Sequence, residues 1–142
     1  MVVRPDELAA ALQDSISLLA RRLRQTPTPG ELTLPERSAL SRLDRGGPAT
    51  SAELARTEQI SPQAMAATLG GLEQRGLVER RNDPHDGRRI IMSLSDSGRE
   101  VLRRKRAAHA QQLAAALGTF SADELAVLAA AAPLIERIAE GI

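Results

Sequence analysis

Between Arg80 and Arg89 the chain sets four guanidinium groups, Arg80, Arg81, Arg88 and Arg89, in two pairs on either side of the polar run Asn82-Asp83-Pro84-His85-Asp86-Gly87. Asp83-Pro84 and Asp86-Gly87 are turn-forming pairs, and the residues around them alternate like two short strands, Leu77 to Arg81 and Arg89 to Leu94. Arginines at the tip of a thin exposed hairpin can reach phosphates or enter a narrow minor groove, where the negative potential is strongest. His85 lies in the same tip and Arg75 just upstream of it. Taken alone, such a hairpin reads more simply as a solvated turn whose charges aid solubility. What precedes it selects the nucleic-acid reading.

Upstream, Thr50 and Glu53 have the spacing of a capping box, so a helix starts at Ser51, with Leu54 and Ala55 facing inward and Ile60 beneath the turn that follows. Ser61-Pro62 then opens a second helix, serine as N-cap and proline where no N–H donor is needed. Met65, Leu69 and Leu72 recur on one face of that helix, which predicts its buried side and an end near Arg75-Gly76. The opposite face carries Gln63, Ala67, Gly70 or Gly71, and Gln74, with Ala64 and Thr68 beside it, and is nearly free of charge. Glycine inside a helix costs about 1 kcal/mol relative to alanine, so Gly70-Gly71 reflects either close approach to DNA or a neighbouring helix, or tolerated drift. Helix, turn, helix and hairpin together form the order of a winged helix-turn-helix, which docks on duplex DNA. The candidate DNA contacts are Ser61, Gln63, Ala64, Ala67 and Thr68 on the second helix, Arg75 after it, and Arg81, His85, Asp86, Arg88 and Arg89 on the hairpin.

These residues resemble the DNA-binding core of the MarR family of bacterial transcriptional regulators. The resemblance rests on Glu53-Leu54-Ala55, Ile60-Ser61-Pro62, the LEQRGLVER run from Leu72 to Arg80, Asp86-Gly87-Arg88, and the LSDSG run from Leu94 to Gly98, and it extends more weakly over the whole chain. It implies a homodimeric regulator that releases DNA when a small effector binds or a cysteine is oxidised. It also implies that Asp86 holds the arginine, Arg88, that enters the minor groove. Positions 67 and 71, often basic or polar in that family, are Ala67 and Gly71 here.

Composition narrows the alternatives. Among 142 residues 42% are hydrophobic, enough for a real core, yet Phe120 is the sole aromatic, which suits close-packed helices and argues against base stacking on single strands. The formal charge is only +1, with acidic residues near the two ends and arginines in and just after the central module. Without cysteine there is no thiol switch and no thiolate metal site, and His85 and His109 fall in different predicted elements, so no metal and no cofactor are expected. There is no phosphate-binding glycine motif and no histidine paired locally with a nucleophile, and an enzyme is not expected. No signal peptide or membrane span is readable, which predicts a cytoplasmic protein.

The flanking elements must position this module. Leu8, Leu12, Ile16, Leu19 and Leu23 predict an amphipathic helix from Pro5 to about Gln25, ended by a loop at Thr26-Pro27-Thr28-Pro29-Gly30. Thr33 and Glu36 predict a second capping box, with Leu40 and Leu43 buried in a helix that Gly46-Gly47-Pro48 stops; a short segment around Ala49 is free to pair with the wing. Ser95 is the expected N-cap of a long helix to about Leu117, packed through Leu102, His109, Leu113 and Ala116, with His109 most simply a partly buried core histidine. Ser121 and Glu124 open a last helix, whose Leu125, Leu128, Ala132, Ile135, Ile138 and Ile142 call for a partner helix and which Pro133 should interrupt with a kink at about Ala129 to Ala132. The expected architecture is mainly α with a small β-hairpin wing, a single domain over 1–142. Within it, about 31–97 form the winged helix-turn-helix lobe, and about 5–25 and 98–142 form N- and C-terminal dimerisation helices. The expected function is a dimeric, sequence-specific regulator of duplex DNA with a pseudo-palindromic operator, most simply a repressor released by a small-molecule effector. A winged-helix protein-interaction module is the alternative, since fold does not fix function.

Overall fold

The computed structural model describes residues 1–25 and 32–142; the loop expected over Thr26–Gly30 lies outside them. In order the elements are α1 (Pro5–Arg24), α2 (Leu34–Gly46), β1 (Ala49–Thr50), α3 (Ser51–Glu58), α4 (Pro62–Gln74), β2 (Val78–Asn82), β3 (Ile90–Leu94), α5 (Asp96–Leu117) and α6 (Ala122–Glu140). The chain divides into two compact units, Pro27–Arg106, and Met1–Thr26 with Ala107–Ile142.

In the first unit each helix start follows from its cap. Thr33 accepts from the Glu36 N–H at 3.3 Å while Glu36 accepts from the Thr33 N–H at 3.0 Å, and Thr50 and Glu53 repeat the exchange at 3.2 and 3.4 Å. Each box satisfies two donors that a helix start leaves orphaned, worth about 1 kcal/mol. The α3–α4 turn closes at Gln59, whose N–H donates to Arg56 while the Ile60 N–H donates to Ala55, with Gln59 left-handed at φ 57°. A side chain in that conformation costs roughly 1–2 kcal/mol, partly offset by the entropy glycine loses on folding. Gln59→Gly should therefore raise stability by about 0.5–1 kcal/mol, read as a higher denaturant midpoint. A midpoint unchanged or lowered would show that the Gln59 side chain contributes contacts worth more than the strain.

Gly76, at φ 72°, ends α4 in the same way: its N–H donates to Glu73 and that of Leu77 to Leu72, and the chain turns into β2. The sheet is antiparallel in the order β1-β3-β2, with Ala49 opposite Met92 and Arg80 opposite Met92 from the other side. So the segment at Ala49 does pair with the wing. The strands begin one residue later than expected, Leu77 and Arg89 lying in the flanking turns. Val78, Met92 and Leu94 turn their alternate side chains onto a core shared with Leu40 and Leu43 of α2, Leu54 of α3, and Met65, Leu69 and Leu72 of α4.

Ser95 joins the wing to α5. Its N–H donates to the Leu77 carbonyl at 3.1 Å, its hydroxyl donates to the Gly76 carbonyl at 2.5 Å, and the same oxygen accepts from the Gly98 N–H at 3.0 Å. One buried serine thus caps the helix and satisfies the turn after α4.

In the second unit α1 starts with Pro5, Asp6 and Glu7 and ends with Arg21, Arg22 and Arg24, matching charge to the helix dipole at both ends. Neither α1 nor α6 contains a buried residue. Leu8, Ile16, Leu19, Leu125, Leu128, Ile135 and Ile138 are all exposed. Ser121 and Glu124 form the expected capping box, and their hydrogen bonds hold the Glu124 carboxyl below its usual range. Pro133 lies inside α6, which continues past it from Ala122 to Glu140. A proline ring removes one N–H bond, and the turns on either side keep the helix going. On α5, Leu102 is buried and His109 half-buried, as expected, but Ala116 is exposed.

Candidate nucleic-acid interface

With Met65, Leu69 and Leu72 fixed in the core, the helical wheel leaves Gln63, Ala64, Ala67 and Gln74 of α4 exposed to solvent. Ser61 accepts from the Ala64 N–H at 3.1 Å and so caps the helix, which leaves its hydroxyl hydrogen to donate outward beside the Gln63 N–H. That is the end of a helix that attracts phosphate. Thr68 is half-buried and its hydroxyl donates to the Ala64 carbonyl at 2.9 Å, so it offers the surface chiefly its methyl group. A Cβ added at Gly70 would meet nothing within 4 Å, and one at Gly71 only Glu36 Oε2 at 3.9 Å. Among the described residues, then, no neighbouring helix lies close enough to exclude a Cβ at either glycine.

The wing arginines divide into two sets. Arg80 lies on the core-facing side of β2 and pairs with Glu73 of α4 at 3.3 Å. Together with Ser51, Ala66, Leu69, Gly70, Ile90 and Met92 it lines a cleft of about 140 Å³ between α4 and the strands. Arg89 reaches from the wing to Glu53 of α3 at 2.5 Å, with Asp83 at 3.9 Å from its other terminal nitrogen. Arg75 lies 3.8 Å from Glu36 of α2. Arg75 and Arg89, both expected as DNA contacts, thus hold the module together across elements distant in sequence. By contrast, Arg81 and Arg88 are exposed and form no ion pair among the described residues.

Asp86 does not clamp the Arg88 guanidinium among the described residues. Its Oδ1 accepts the Arg88 backbone N–H at 3.1 Å, while Asp83 Oδ1 accepts that of His85 at 2.9 Å. Two successive aspartate turns build the tip, because a carboxylate two residues before an N–H finds that donor with little loss of chain entropy. Asp86 therefore shapes the loop that presents Arg88. The exposed His85 is carried by the first of these turns.

The basic run on α5 is engaged elsewhere. Arg103 and Arg104 both bind Glu100, at 2.5 and 3.2 Å, which holds that carboxyl down at about 2. Arg106 pairs with Asp44 of α2. Lys105 has its pKa lowered, first by burial and then by the nearby Arg37. Sequence alone showed a cluster of like charge; the Glu53–Arg89 and Asp44–Arg106 pairings were not legible because they span long chain separations. Arg56, exposed on α3 with no ion pair among the described residues, is a cation that the sequence reading passed over. The first helix of such a module crosses the DNA backbone.

Comparison with known proteins agrees with this arrangement. The family model described as MarR family matches residues 31–89. An uncharacterized HTH-type transcriptional regulator of Mycobacterium bovis is 34% identical over 128 residues, covering 90% of each chain. The HTH-type transcriptional repressor Rv2887 of Mycobacterium tuberculosis is 40% identical over 91 residues, 61% of this chain and 66% of that one. The crystal structure of a putative transcriptional regulator from Pseudomonas aeruginosa superposes with a TM-score of 0.77 at 35% identity, covering 94% of this chain and 95% of that one. With a family model matched over the winged helix-turn-helix, and relatives aligned along nearly its whole length, the chain belongs to the MarR family of DNA-binding transcriptional regulators.

Proposed function

We propose that the chain is a homodimeric repressor that binds a pseudo-palindromic duplex through α4 and the wing and is released by a small-molecule effector. The observation that carries the DNA contact is the pair of exposed guanidinium groups, Arg81 and Arg88, without a partner among the described residues, on a wing braced against α3 and α4. Arg88 enters the minor groove, Arg81 and the Ser61 hydroxyl take phosphates, and Gln63, Ala64 and Ala67 meet base edges. The repressor sign is supported by the name of the Mycobacterium tuberculosis relative. Dimerisation is supported by α1 and α6, whose exposed apolar residues form faces too extensive for an isolated soluble chain.

The near absence of charge on the exposed face of α4 favours a second reading, a module that binds protein. Selection of bound duplexes from a random pool separates the two. An enriched pseudo-palindrome with half-sites about one helical turn, roughly 10 base pairs, apart supports the repressor. No enrichment at low salt supports the protein-binding module. Ile135→Asp should weaken dimerisation and operator binding together; sedimentation of the unaltered chain as a monomer at micromolar concentration would remove the dimer from this reading.

A further inference from the structure

Between Pro62 and Gln74 the only charged residue is Glu73, and its carboxylate is held 3.3 Å from Arg80 on the wing side. Arg75, the cation next in sequence, lies against Glu36. The helix that meets the major groove therefore has no arginine or lysine with which to grip guanine O6 and N7, the commonest specific contact in that groove. What it exposes is the amide of Gln63, whose one donor and one acceptor match adenine N6 and N7, and the methyl groups of Ala64 and Ala67, which match the C5 methyl of thymine.

We infer that the base pairs beneath α4 in each half-site are A·T, with thymine methyls packed on Ala64 and Ala67 and an adenine held by Gln63. This rests on the DNA-binding reading above and adds to it the identity of the bases read. The wing, in a minor groove that presents no thymine methyl, cannot account for a loss of affinity on removing that methyl.

The test leaves the protein unaltered. In a duplex taken from the random-pool selection, each thymine is replaced in turn by uracil, which removes only the C5 methyl. Two or more thymines in each half-site should each lose about three- to fivefold in affinity, the worth of one buried methyl. Ala67→Arg, an exposed and helix-compatible change, should shift the selected base at one position from thymine or adenine to guanine. Half-sites rich in G·C under α4, or a duplex indifferent to uracil throughout, would overturn the inference while leaving the regulator reading intact. Failure to retain any duplex at low salt would overturn both.

Discussion

Gly98→Ala is expected to destabilise the Pro27–Arg106 unit by about 3 kcal/mol, a value at the upper end for overpacking a core. The added Cβ would lie 2.2 Å from the Leu77 carbonyl oxygen and 3.1 Å from Leu94 Cδ2. The carbonyl is backbone and is already fixed by the Ser95 N–H at 3.1 Å, so it cannot move aside without breaking the joint between the wing and α5. Alanine's better helix propensity, about 1 kcal/mol, acts in the opposite direction and is too small to win. Gly70→Ala is the internal control. The same chemical change at a helical site with nothing within 4 Å should gain up to about 1 kcal/mol. Denaturant midpoints of opposite sign would confirm the pair, and a Gly98→Ala protein as stable as the parent would disprove the close approach.

Arg88→Ala should weaken operator binding by about 1–3 kcal/mol and reduce the salt dependence by about one phosphate-equivalent per protomer, because an unpartnered guanidinium at the wing tip exchanges counterions for DNA. Arg89→Ala, one residue on, should behave differently. Arg89 is spent on Glu53 and Asp83, so its loss loosens the wing and lowers affinity while changing the salt slope less than Arg88→Ala does. Asp86→Asn separates the two roles open to that residue. Asparagine still accepts the Arg88 N–H and carries no charge, so affinity should hold or rise slightly if Asp86 is a turn residue. A loss comparable to that of Arg88→Ala would instead require an ion pair between Asp86 and Arg88 in the DNA complex.

Much of this molecule was determined by short-range rules acting on the sequence itself. The helix starts at Thr33, Thr50, Ser61 and Ser121 follow from side chains bonding to N–H groups three residues away, and the buried faces of α2 and α4 follow from helical period. The succession of elements and the basic hairpin tip, which between them indicate a DNA-binding regulator, are of the same kind. Tertiary structure alone decided which cations are available to DNA. Arg88 and Arg89 are neighbours of one residue type, yet one is unpartnered and the other is bound to Glu53, because pairing across 36 positions depends on where the sheet lays the wing over α3. The necessity of Gly98 is likewise invisible in sequence, since a glycine in the first turn of a helix looks like a tolerated defect until the Leu77 carbonyl is seen to occupy the place of its missing side chain. Local hydrogen bonds within a few residues can be read along the chain; contacts whose partners are brought together only by folding cannot.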